Sequence, residues 1–108
     1  MLHMKLVRQE LLERFAHKHR DAATALQQWR TIAQLAKWNS IVDVRASYPS
    51  ADGVAVKPGG YTVVATVFNI KGNTYRLITV INFDRRIVVI REFLTHAQYD
   101  KDAWKERL

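Results

Sequence analysis

Three side chains able to handle a phosphate fall close together near the C-terminus, in the segment REFLTHAQYDK (91–101): Arg91, His96 and Tyr99. An arginine neutralises and orients a phosphoryl group, and an imidazole moves protons near neutrality. A phenol donates a hydrogen bond or stacks on a base. The THAQ stretch fits a capping box, with Thr95 as N-cap and Gln98 reaching back to it. His96 is then the first helical residue, and Tyr99 shares its face. A helix start offers amide hydrogens and partial positive charge to an anion. The same field disfavours imidazolium, so His96 is expected to lean towards neutral and to accept a proton.

The elements that must position this segment are legible upstream. The runs YTVVATVFNI, TYRLITVINF and RIVVIREFL are rich in β-branched and aromatic residues and are separated by short breaks. In KGNT, Gly72-Asn73 suits a two-residue type II′ turn, and Asp84-Arg85 in FDRR is a weaker turn signal. Together they predict a three-stranded antiparallel meander. Turns at those residues set Lys71 opposite Thr74, Asn69 opposite Arg76, Ile78 opposite Arg91 and Arg76 opposite Phe93. Since side chains alternate faces, Lys71, Asn69, Arg76 and Arg91 are expected on one face. Phe68, Ile70, Tyr75, Leu77, Ile81, Phe83, Val88, Ile90 and Leu94 are expected on the other. Glu92 falls on that apolar face too, where it fits poorly.

The apolar face needs a cover, and the first forty residues supply one. Val7, Leu11 and Phe15, with Leu12, form a helical stripe; Asp21 is placed to cap a second helix carrying Ala22, Leu26, Trp29, Ala33 and Ala36. Residues 3–6, HMKL, are the alternative: a short strand ahead of the helical hairpin. From Asn39 to Gly60 periodicity disappears, and a long functional, mobile or simply connecting loop is expected.

A basic floor of Lys71, Arg76 and Arg91 with an imidazole and a phenol is the inventory of metal-free RNA cleavage. The ribose 2′-hydroxyl loses a proton, charge on phosphorus is neutralised, and the leaving 5′-oxygen gains a proton. On this reading His96 is acid or base, and Tyr99 assists it or stacks on a base. Arg76 and Arg91 stabilise the transition state, while Lys71, Asn69 and Asn73 contact RNA phosphate. The structural alternative makes Arg76 a strand ion-pair residue, Tyr99 an anchor for the last helix and His96 a helix-start residue. A non-catalytic RNA- or ribosome-binding domain would use the same face, and a protein module would meet an acidic partner with it.

Composition bounds the rest. The chain has 108 residues, 48% hydrophobic and 25% charged, with a net charge of +7 and a pI near 10.1. One domain spanning 1–108 is expected, and its basicity suits nucleic acid or an acidic partner. There is no cysteine, no metal-ligand motif, no glycine-rich phosphate loop and no apolar run long enough to span a membrane. The N-terminus turns charged too early for a secretory signal, so a cytoplasmic location is expected. His3, His17 and His19 are read as surface residues, and no cofactor is expected.

The segments DVRASYPSADGV, VFNIKGNTYRLITVINF and VVIREFLTHAQYDK, in that order, resemble the HigB-type toxins within the RelE-like mRNA interferases of type II toxin–antitoxin systems. The resemblance covers nearly the whole chain, and GNTYRL (72–77) and THAQYD (95–100) are its most specific pieces. It implies an α+β, RelE-like fold in which an N-terminal helical hairpin packs on a small antiparallel β-meander with a short C-terminal helix. It further implies a ribosome-dependent, metal-independent endoribonuclease that cleaves mRNA in the ribosomal A site. The products are a 2′,3′-cyclic phosphate and a 5′-hydroxyl. By the same resemblance Arg76 contacts phosphate and His96 and Tyr99 are the catalytic pair, with Lys71 and Arg91 matching basic positions less firmly. RelE-type proteins often carry arginine and lysine where this chain has histidine, so proton transfer falls to His96, to Tyr99 or partly to the ribosome. The implied partners are mRNA on the ribosome, with its rRNA, and a HigA-like helix-turn-helix antitoxin.

Overall fold

β-Branched side chains pack well on a pleated surface, and the three runs after residue 60 form the centre of the molecule. The computed structural model describes residues 3–108. Its elements are β1 (Lys5–Val7), α1 (Glu10–Lys18), a 3₁₀ turn (Arg20–Ala22), α2 (Ala23–Leu35), α3 (Ile41–Ser47) and β2 (Asp52–Val56). There follow β3 (Val63–Ile70), β4 (Tyr75–Asn82), β5 (Ile87–Thr95), α4 (His96–Asp100) and a 3₁₀ turn (Ala103–Arg107). Five strands form one sheet in the order β1-β5-β4-β3-β2. All neighbours are antiparallel except β1, which runs parallel to β5. The α+β architecture and the β3–β4–β5 meander are as the sequence predicts, with two edge strands added. Val7 lies in β1 and not on the helical stripe. The segment 39–60 is not a structureless loop, since it holds α3 and β2.

The helical hairpin covers one face of the sheet. Leu11, Leu12, Leu26, Trp29 and Ala33 are buried in one cluster with Phe68, Ile70, Leu77, Val88, Ile90 and Phe93. Trp29 meets Phe68 edge-on, with ring centroids 5.3 Å apart. The opposite face, expected to be an open basic floor, has its own small core: Val56, Ala65, Val67, Ile78 and Leu94 under Trp104. The C-terminal 3₁₀ turn folds back to deliver that tryptophan.

A β-bulge divides the sheet's chemistry. Near the second turn the pairs Asn82↔Ile87 to Thr79↔Ile90 keep the expected register, but it shifts between Thr79 and Ile78. Ile78 then faces Glu92 and Arg76 faces Leu94, where Arg91 and Phe93 were expected. Arg91 is the extra residue, and everything after it changes face. Phe93 turns to the helices and stacks on Tyr75 at 4.8 Å and on Phe15 at 5.5 Å. Leu94 moves to the second core. Glu92, the misfit of the sequence reading, leaves the helix side and receives Arg107 Nη2 at 2.7 Å and Nε at 3.0 Å.

Asp21 also departs from expectation. Ala22 precedes α2 without a side-chain cap, while the Asp21 carboxylate accepts from Lys71 Nζ at 2.9 Å and Tyr75 OH at 2.7 Å. Two partners from the sheet outcompete one local amide. The Lys71 bond, followed by the Tyr75 bond, holds the Asp21 carboxyl below its ordinary range. A carboxyl depressed by folding stabilises the fold above its unfolded pKa, and that contribution is lost as pH falls through the folded value. Asp21→Asn is therefore expected to lower the urea midpoint at pH 7, with the gap to wild type closing below about pH 4. A gap that persists unchanged in acid would show that the effect is not ionic. Among the described residues, no helix is long and apolar enough to cross a membrane.

Candidate active site

The site is built where the β3–β4 hairpin meets the end of β5. The register there is as predicted, with Asn69 opposite Arg76 and Ile70 opposite Tyr75. Gly72 takes a positive φ of 62°, and Lys71 does so as well, at 55°. The left-handed backbone at Lys71 ends the strand alternation on which its expected face depended. Its side chain goes to Asp21, on the helix side, and does not join Arg76. Asn69 stays on the Arg76 face, as cross-strand neighbours do.

Arg76 is only 9% exposed. Its Nη1 donates to the carbonyls of Asn73 at 3.1 Å and Tyr75 at 3.2 Å, and Nη2 donates to Asn73 Oδ1. The guanidinium carbon lies 5.5 Å from the centre of the Tyr99 ring. Among the described residues Arg76 forms no ion pair with a carboxylate. Burying a charge without a counter-charge is costly, and carbonyl and amide oxygens of Asn73 and Tyr75 offset part of that cost here.

The capping box forms as read. Gln98 N–H donates to Thr95 Oγ1 at 3.2 Å, and Thr95 N–H donates to Gln98 Oε1 at 3.0 Å. His96 N–H donates to Thr74 O at 3.1 Å, docking the helix start on the hairpin. With those amides engaged and only five residues in α4, the helix start is not the open anion cradle expected. His96 Nδ1 lies 3.2 Å from Asn73 O, and Nε2 lies 3.1 Å from Asp100 Oδ2. A carbonyl and a carboxylate both only accept. A neutral ring has one N–H to give to these two acceptors, and which nitrogen carries it depends on the tautomer.

Tyr99 stacks on Trp104 with centroids 5.3 Å apart and planes 16° from parallel. Trp104 Nε1 donates to Tyr99 O at 3.1 Å. Burial, above all, and then the Asp52 carboxylate push the Tyr99 phenol up, against the pull of Arg76. The ring is thus anchored on Trp104 and its hydroxyl keeps its proton. Arg91 is not part of the cluster. Its Nη2 donates to Arg107 O at 3.1 Å, and it sits three residues along β5 from Leu94, roughly 10 Å at the strand rise.

Residues 22–102 match the HigB_toxin family, the RelE-like toxic component of a toxin-antitoxin system. The chain belongs to this family. It is 28% identical over 97 residues to the "mRNA interferase toxin HigB" of Escherichia coli K12, covering 90% of this chain and 88% of that protein. Identity to the "mRNA interferase HigB" of Escherichia coli O6:H1 is 24% over 98 residues, covering 91% and 90% respectively. The same name belongs to a Shigella flexneri relative, 28% identical over 97 residues, 90% of this chain and 88% of that one.

In this HigB-family toxin the hairpin and α4 bring together Arg76, Asn73, His96 and Tyr99, while Lys71 and Arg91 are drawn elsewhere. Asn73 binds both Arg76 and His96 through one carbonyl. Sequence reasoning missed Asp100 and Trp104. Asp100 lies four residues after His96, a spacing that puts both on one helix face and could have drawn it in. Trp104, a lone aromatic in DAWKERL, shows no periodicity, and only the fold-back of the C-terminus gives it a place. Among the described residues, no group of three His, Cys, Asp or Glu side chains is gathered to hold a metal ion.

Proposed function

We propose that this toxin is a ribosome-dependent mRNA interferase, an endoribonuclease that cuts mRNA in the ribosomal A site and so blocks translation. The observation that carries the reading is Arg76, buried with no carboxylate partner among the described residues and joined to His96 through the Asn73 carbonyl. Family membership and relatives called mRNA interferases supply the substrate class. The 2′-hydroxyl attacks phosphorus in line, Arg76 stabilises the negative charge, and His96 hands a proton to the departing 5′-oxygen. A 2′,3′-cyclic phosphate and a 5′-hydroxyl result, with no metal ion taking part. Tyr99, kept protonated, donates from its hydroxyl to the phosphate. Asn69 lines the approach, and Lys71 and Arg91 guide RNA electrostatically from the periphery.

The chain acts in the cytoplasm as one domain, 1–108. Its basic surface suits a HigA-like helix-turn-helix antitoxin with acidic contacts, encoded beside it, as its partner. The test is primer extension on mRNA programmed in ribosomes. Wild type is expected to cut within the A-site codon, with EDTA having no effect, and His96→Ala is expected to cut about 100-fold more slowly. Ribosome binding without any cut would replace catalysis with simple occlusion of the A site.

A further inference from the structure

The imidazole of His96 is held at both ends, and only one end faces the phosphate-binding residue. Its Nδ1 lies 3.2 Å from the Asn73 carbonyl, which also receives Arg76 Nη1 at 3.1 Å. Its Nε2 lies 3.1 Å from Asp100 Oδ2, one helical turn on. We propose that Asp100 is a positioning residue: it binds Nε2–H and presents Nδ1–H to the leaving oxygen beside Arg76. This rests on the cleavage reading above.

The chemistry follows from the inventory of donors. Asp100 accepts only, so Nε2 carries a hydrogen while the pair persists. In the imidazolium form the second hydrogen is on Nδ1, where its resting partner, the Asn73 carbonyl, binds it too weakly to compete with a developing alkoxide. As the 2′-oxygen bonds to phosphorus, the bond from phosphorus to the 5′-oxygen breaks with its electron pair on that oxygen. The Nδ1 proton moves to it, and the 2′-hydroxyl proton leaves to water. A neutral imidazole remains, still bound through Nε2–H to Asp100. The carboxylate thus fixes the ring and its tautomer without itself taking a proton, as in other carboxylate–histidine pairs.

The surroundings leave this role to Asp100. Helix α4 packs against β4, β5 and the C-terminal 3₁₀ turn. From β4 the ring faces Arg76 across the shared carbonyl, and the His96 backbone N–H is bound to the hairpin at Thr74 O. In the C-terminal turn Lys105 is paired with Asp102 at 3.1 Å.

The experiment compares wild type with Asp100→Asn, Asp100→Glu, His96→Ala and the His96→Ala/Asp100→Asn double variant. Nitrogen-resolved NMR of the His96 ring in the free protein reads the clamp without reference to RNA. Asp100→Asn is expected to alter the Nε2 signal and its attached hydrogen, and Asp100→Glu to preserve them in part. On programmed ribosomes, Asp100→Asn should lower kcat about tenfold with KM little changed, and the double variant should be no slower than His96→Ala. Ring signals untouched by Asp100→Asn, or a double variant slower by the product of the single losses, overturn the proposal. Altered ring signals in a protein that cuts no RNA support the clamp as structure and overturn its role in proton transfer; in that case the cleavage reading itself has failed.

Discussion

Arg76→Ala is expected to slow cleavage of ribosome-bound mRNA about 1,000-fold, the scale on which losing a preorganised charge-stabilising donor acts. The guanidinium has five N–H donors, and its bonds to Asn73 and Tyr75 leave some of them for a phosphate oxygen. Among the described residues no carboxylate pairs with Arg76 to compete. Arg76 is itself buried, and a charge so placed acts more strongly than one on an open surface. Arg76→Lys should recover little, because an ammonium cannot reach Asn73 and phosphate together in the planar arrangement of the guanidinium. The stability of the fold should move the other way: Arg76→Met removes a buried, uncompensated charge and is expected to unfold at a urea concentration no lower than wild type. Rapid cleavage by Arg76→Met, or a large fall in its urea midpoint, would make Arg76 a structural residue.

Trp104→Ala is expected to have the largest effect on stability, about 3–5 kcal/mol for an indole removed from a packed core. The side chain is 0% exposed, caps the second core and hydrogen-bonds to Tyr99 O at 3.1 Å. Against a total stability of roughly 5–15 kcal/mol this is a severe loss. The C-terminal segment should come away first. Apart from Trp104 it is tied to the sheet by the partly buried Leu108, the Arg107–Glu92 pair and the Arg91 bond to Arg107 O, and ion pairs near the surface contribute little. Hydrogen exchange should quicken across 96–108 before it does in β3 and β4, and cleavage should fall because Tyr99 loses its stacking partner. Trp104→Phe should restore most of the protection. Uniform loss of protection throughout the sheet would mean that the two cores are one cooperative unit.

What could be read from the sequence was local, and what could not was not. The first hairpin's register followed from Gly72, and the capping box from Thr95 and Gln98, because each device is written within four residues. β1 is three residues long and pairs with a strand some eighty positions away, so no local period marks it. Strand β2 was hidden by Gly53 and the prolines flanking it. The bulge at Arg91 carries no glycine to announce it; the only sign was Glu92, whose misfit on an apolar face meant that the register there was wrong. Asp21 looked like a cap because caps are local, whereas its partners, Lys71 and Tyr75, come from the other half of the chain. Among the candidate residues, Arg76 and His96 stood out by type and spacing, and the fold brings both to the Asn73 carbonyl. The displacement of Lys71 and Arg91 depended on side-chain partners that only the folded chain supplies.

The bulge has a consequence for which changes in length this strand can absorb. β5 contains one residue more than its ladder with β4 uses, and that residue is Arg91. Deleting it would close the ladder with Ile90, Glu92, Phe93 and Leu94 still facing where they do now, and α4 would still begin at the hairpin. Deleting Leu94 instead would draw Glu92 and Phe93 through the sheet, placing the carboxylate on the helix side and the phenyl ring on the other. The strand therefore has a tolerated position for gaining or losing a residue, in an element where such changes normally invert the pattern.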